Sequence, residues 1–92
     1  MQNKKVIYLI TTKGCEACYI MTDIMLTVLA ELKGVSLVIR DVSEIPMFIC
    51  AKVSFNDFPT LVFLKDDVIK YHVSGTMSKS KVKTILSDIG FR

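Results

Sequence analysis

Val6-Ile7-Tyr8-Leu9-Ile10 is an unbroken apolar run rich in β-branched residues, the pattern of a strand covered by helices on both faces. Lys13-Gly14 interrupts it. Beyond that break Ile20, Ile24, Val28 and Leu32 recur every four residues, flanked by Met21, Met25 and Leu29, which predicts an amphipathic helix running to about Lys33 and closed by Gly34. Val35 to Val42 reads as a second strand. A helix intervenes, so the two strands are parallel and joined by a right-handed crossover. A short helix is expected from about Ile45 to Val53. Phe55-Asn56-Asp57-Phe58-Pro59 holds turn formers and a proline, a loop leading into a third strand at Thr60-Leu61-Val62-Phe63-Leu64. After the turn at Lys65-Asp66-Asp67, Ile69, Tyr71 and Val73 alternate with Lys70, His72 and Ser74, as in a half-exposed hairpin strand at a sheet edge. Gly75 breaks the chain. Val82, Ile85, Leu86 and Ile89 then mark one face of a last helix ending near Gly90.

The order β-α-β-α-β-β-α predicts an α/β fold, a four-stranded mixed sheet flanked by helices, in a single domain spanning 1–92 without repeats or linkers. With 92 residues, of which 51% are hydrophobic, and a mean hydropathy of +0.45, the chain has the apolar side chains a small dense core needs. Twelve basic residues against nine acidic ones give a net charge of +3. These charges are scattered along the chain, so a solvated surface is expected and a nucleic-acid partner is not. Lys4 and Lys5 precede only five apolar residues, too few for a signal sequence or a membrane span. The expected compartment is therefore the cytoplasm, with no membrane partner and a monomeric state. Thiols stay reduced there, and a close cysteine pair is catalytic or metal-binding rather than a staple.

Such a pair is present in Cys15-Glu16-Ala17-Cys18. Cys15 falls at or just before the first turn of the first helix, where unpaired backbone N–H groups and the helix dipole favour a thiolate. Cys18 lies one turn deeper, within reach of Cys15. Attack by Cys15 on a disulfide gives a mixed disulfide, which Cys18 resolves. Glu16 opposes the Cys15 thiolate and Lys13 supports it, so both are candidates for tuning its pKa.

The motif after the first strand, Phe58-Pro59-Thr60 opening the third, and Gly75 before the last helix together resemble the thioredoxin superfamily, in its short form without an additional N-terminal strand and helix. The resemblance covers essentially the whole chain. It implies a cis peptide bond at Pro59, lying against the dithiol. It further implies that Phe58, Pro59, Thr60 and Gly75 line a substrate groove in which an extended segment of a disulfide-containing protein adds as a strand. No cofactor is implied; a reductase or a low-molecular-weight thiol would supply electrons. Gly14 stands where thioredoxins often carry Trp, Glu16-Ala17 replaces their Gly-Pro, and Leu9 takes the strand position of their buried Asp. Gly75-Thr76-Met77-Ser78 lacks the acidic pair with which glutaredoxins grip glutathione.

Other readings of the same residues are a thioredoxin-like groove that binds without turnover and a metal site drawing on Cys15, Cys18, Cys50 and His72. Retention of both cysteines speaks against the first, and spacing unlike a compact zinc ribbon or finger against the second. Cys50, between Ile49 and Ala51, is expected to pack as a small hydrophobe, and His72 to lie on the surface. Met21, Met25 and Met47 are read as packing residues rather than copper ligands.

Overall fold

In a computed structural model that describes residues 4–92, four strands form one mixed sheet in the order β2-β1-β3-β4. They are β1 (Lys5–Thr11), β2 (Val35–Asp41), β3 (Thr60–Lys65) and β4 (Val68–Ser74). The helices are α1 (Glu16–Leu29), α2 (Met47–Lys52) and α3 (Lys79–Asp88), with a single 3-10 turn at Val42–Glu44. β1 pairs in parallel with β2 and antiparallel with β3, which pairs antiparallel with β4.

The two central strands are buried on both faces because helices cover both. Ile7 and Leu9 of β1 and Leu61 and Phe63 of β3 pack with Met21, Met25 and Val28 of α1 and Val82, Ile85 and Leu86 of α3. Ile10, Val62 and Leu64 point the other way, toward Ile49 of α2 and Val53. Continuous apolar runs are what this arrangement demands.

α1 differs from its sequence pattern in phase and length. Its buried residues are Cys18, Met21, Met25 and Val28, whereas Ile20 is 56% exposed. The four-residue spacing from Ile20 drifts around the helix, since 3.6 residues complete a turn. The helix stops at Leu29 rather than Lys33. Glu31 and Leu32 instead donate to the Val28 and Leu29 carbonyls in tighter turns, and Gly34 adopts a positive φ.

α2 is also shorter than the expected Ile45–Val53. Pro46 is its N-cap and Val53 its C-cap, and a proline is tolerated at a helix start because it has no N–H to leave unpaired. Cys50 is exposed on this helix, which corrects the expectation that it packs: the sheet-facing position of so short a helix is taken by Ile49, fully buried next door.

The alternation in β4 is broken as well. Phe63 pairs with Tyr71 but Leu64 pairs with Ile69, so Lys70 bulges and the strand turns over. Tyr71 meets the Phe63 ring at 6.0 Å between centroids, and Val73 packs on the same side. Ile69 packs on the opposite side, against the α2 cluster. The hairpin turn places Asp66 and Asp67 at φ 52° and 66°, the backbone of a type I′ turn. Asp66 is tied down by Lys4, whose N–H donates to its carboxylate at 2.9 Å.

These differences generate two measurable outcomes. Met25→Ala should destabilise the fold by about 2–5 kcal/mol, and Ile20→Ala by less than about 0.5 kcal/mol, both read from urea unfolding midpoints. Asp67→Gly should raise the midpoint by the equivalent of about 0.5 kcal/mol, because glycine adopts positive φ without a Cβ penalty.

Candidate active site

Strand register gathers the candidate residues at one end of the sheet. Ile10 faces Thr60, Thr60 faces Ser74, and Thr11 at the end of β1 faces Asp41 at the end of β2. The segment Lys13-Gly14-Cys15 leaves β1 at that end, Phe58-Pro59 enters β3 there, and Gly75 leaves β4 there. Residues spread over sixty positions of sequence therefore share one rim.

Cys15 is the N-cap of α1. Its backbone is extended, and its Sγ accepts the N–H of Cys18 at 3.1 Å, the place usually held by a serine or aspartate oxygen. Gly14, immediately before it, has φ 70°, which lets the chain swing from strand to helix without a Cβ clash. Cys15 and Cys18 form a disulfide with their Cα atoms 5.3 Å apart, within the ordinary span for such a bond. Cys15 is half-buried, while Cys18 is only 4% exposed. The cysteine nearer the solvent thus also receives the helix N–H.

At the same end of the sheet, the Phe58–Pro59 peptide bond is cis. Three hydrogen bonds hold the loop. The Thr60 hydroxyl donates to the Asp57 carbonyl at 2.8 Å, lies 3.0 Å from the Ser74 hydroxyl, and leaves the Gly75 N–H to donate to the Pro59 carbonyl at 2.8 Å. Gly75 reaches that position at φ 94°. Phe58 is half-buried and stacks on Phe55 with ring centroids 6.3 Å apart.

Lys13 and Glu16 both lie at the surface beside the motif. Glu16 is the acidic residue of the first turn of α1, favourable to the helix dipole. The charge of Lys13 acts on Asp41 as well. Asp41 accepts from the Ser43 N–H at 3.0 Å and from its hydroxyl at 2.6 Å. Chiefly these bonds, with a smaller contribution from Lys13, hold its carboxyl below the usual range.

Asp41, Ser43 and Ser74 were missed by the motif-centred reading. Asp-x-Ser after a strand was available as an Asx-turn signal. Ser74 was visible only as one polar residue in an alternating strand. His72 is exposed and Cys50 lies on α2, and no three His, Cys, Asp or Glu side chains cluster for a metal among the described residues. Met21 and Met25 are core residues, and Met47 is 87% exposed.

No protein-family model matches the sequence, and no curated protein matches it either. Among solved structures, thioredoxin-2 of the malaria parasite, described as a component of its protein secretion machinery, superposes with a TM-score of 0.77 at 19% identity, over 96% of this chain and 85% of that one. The chain has the thioredoxin fold. Mitochondrial thioredoxin 3 of Saccharomyces cerevisiae in its oxidised form gives 0.74 at 22% identity, over 95% and 80% of the two chains. Chloroplastic thioredoxin z gives 0.76 at 19%, over 99% and 82%. The dithiol turn and the proline loop thus leave and enter a thioredoxin-fold sheet at the same end.

Thr60→Val keeps the shape but removes the hydroxyl, so we expect a loss of about 1–2 kcal/mol in unfolding free energy. At Asp41 the folded carboxyl titrates below its unfolded value. Its contribution is therefore complete above the unfolded pKa and disappears as pH falls through the folded one. Ser43→Ala should move the Asp41 midpoint upward, toward the ordinary carboxylate range, in an NMR titration of the side-chain carboxyl.

Proposed function

We propose that the chain is a thiol–disulfide oxidoreductase that reduces or exchanges disulfides of protein substrates through Cys15 and Cys18. The observation that carries this reading is the Cys15–Cys18 bond at the start of α1, with the half-buried sulfur of Cys15 capped by a helix N–H.

In the reducing direction the pair starts as a dithiol. The Cys15 thiolate attacks one sulfur of a substrate disulfide, forming a Cys15–substrate bond and releasing the other substrate sulfur as a thiolate that takes up a proton. Cys18, as a thiolate, then attacks the Cys15 sulfur. The Cys15–Cys18 bond forms, the second substrate thiol leaves, and two electrons have passed to the substrate. A reductase or a low-molecular-weight thiol returns the pair to the dithiol, as the reducing cytoplasm would favour.

The rim supplies a place for the substrate chain. The Gly75 N–H holds the Pro59 carbonyl, and the backbone of the Phe58–Pro59 loop, ahead of the point where β3 is paired on both sides, would take an extended segment by main-chain hydrogen bonds. Thr60, buried at the start of β3, would hold this loop in place.

Catalysed reduction of insulin by dithiothreitol tests the proposal. The native protein should shorten the lag before insulin precipitates, Cys15→Ser should behave as dithiothreitol alone, and reduced Cys18→Ser mixed with insulin after dithiothreitol is removed should accumulate a covalent adduct that added thiol cleaves. A native protein that adds nothing to dithiothreitol, with Cys18→Ser forming no adduct with a disulfide-containing substrate, would overturn it and favour a groove that binds without turnover.

A further inference from the structure

Two thiols that act in sequence need two deprotonations, and the surroundings of Cys15 and Cys18 differ in what they offer. Cys15 is half-buried and its sulfur receives the Cys18 N–H, so negative charge on it is met by a backbone donor and the helix start. Cys18 is 4% exposed. Its own N–H is engaged with Cys15, and its carbonyl accepts the Thr22 hydroxyl at 2.8 Å.

Among the described residues the rest of the interior offers Cys18 no charged or imidazole proton acceptor. Among the described residues no Asp, Glu, His, Lys, Arg or Tyr side chain is buried, and Thr60 is the buried polar residue. The Thr60 hydroxyl is already engaged by Asp57 and Ser74. β1 and β3 present Ile7, Leu9, Leu61 and Phe63 to the layer that holds α1. On α1 itself and the turn before it, Glu16 and Lys13 are exposed. The lysines of α3, which packs against α1, lie outside its buried face of Val82, Ile85 and Leu86. Asp41 is engaged by Ser43, and His72 and Asp57 lie at the surface.

We infer that resolution by Cys18 proceeds without an internal base and is the slow step of exchange, so that the Cys15–substrate mixed disulfide is a long-lived intermediate. The inference rests on the oxidoreductase reading above and adds to it the order of the two barriers. Placing charge on a sulfur in an apolar, dry setting is costly, and a thiol so placed ionises less readily than one in water. The proton of Cys18 must go to hydroxide or water at the rim, or to the leaving substrate thiolate. The new Cys15–Cys18 bond forms only from the small ionised fraction.

An aromatic disulfide, dithiobis-nitrobenzoate, separates the two steps because each releases a coloured thiolate. The protein is used reduced, with Cys50→Ser to silence the exposed third thiol, and is mixed with one equivalent of the reagent in a stopped-flow instrument. Attack by Cys15 gives the first release and leaves a Cys15–nitrobenzoate disulfide; attack by Cys18 on that disulfide gives the second. This probe leaves as a stable anion and takes no proton, so the second rate reports the ionisation of Cys18.

We expect a second release at least about tenfold slower than the first at neutral pH, independent of protein concentration, absent in Cys18→Ser, and rising about tenfold per pH unit between roughly pH 6 and 8. A second release as fast as the first, or one whose rate is flat across that range, overturns the inference while leaving the oxidoreductase reading standing. Absence of the first release overturns both.

Discussion

Antiparallel pairing of β1 with β3, from Lys5 opposite Lys65 to Ile10 opposite Thr60, sets which loops meet, because each of these strands also carries a neighbour on its other side. A slip of one residue would turn Ile7, Leu9, Leu61 and Phe63 away from α1 and α3 and expose the whole apolar set to the wrong layer. Burial on both faces therefore fixes the register, and the register fixes the rim. The dithiol turn and the proline loop come to the same end of the sheet for reasons that lie in the core.

Thr60 translates that core into the geometry of the loop. It belongs to the central strand by position and to the rim by its hydroxyl, which closes onto Asp57 and meets Ser74. A hydroxyl at zero exposure is stabilising only when its hydrogen bonds are made. The Asp57–Pro59 loop and the end of β4 are thus constrained to the arrangement that satisfies it. Valine, the more usual strand residue at a buried position, would fill the same volume without choosing among loop conformations.

Elements defined by burial on both sides were legible in the sequence, and elements defined by a boundary or a single face were not. β1 and β3 announced themselves as continuous apolar runs, and the dithiol turn as a break between strand and helix. α1 was misplaced in phase because Ile20 looks as apolar as Met21, and only the sheet beneath decides which of the two is covered. Its end is not marked in the sequence because Ala30 to Lys33 have no helix breaker before Gly34, although the chain tightens after Leu29. The bulge at Lys70 left no mark in the alternation of β4. The apolar sequence neighbours of Cys50 predict that it packs, yet a helix of six residues covers the sheet with a single buried side chain, Ile49. At the rim, the cysteine pair is legible from its spacing and Pro59 and Gly75 only through the resemblance to thioredoxins, whereas Ser74 and Ser43 act through hydrogen bonds that neither reveals.

The three-residue spacing of the cysteines produces their inequality directly. One residue at the N-cap stands outside the helix with its side chain turned back over the first turn, and the residue three positions later is the one whose N–H it caps. Reversing the roles would require Cys18 to be a cap, which its place inside α1 forbids. That backbone device sets the order of the two sulfurs, so what tunes such a dithiol lies in the few side chains around the second one. Here the second sulfur belongs to a residue only 4% exposed inside α1, while the first stands half-buried at the helix start and accepts a helix N–H.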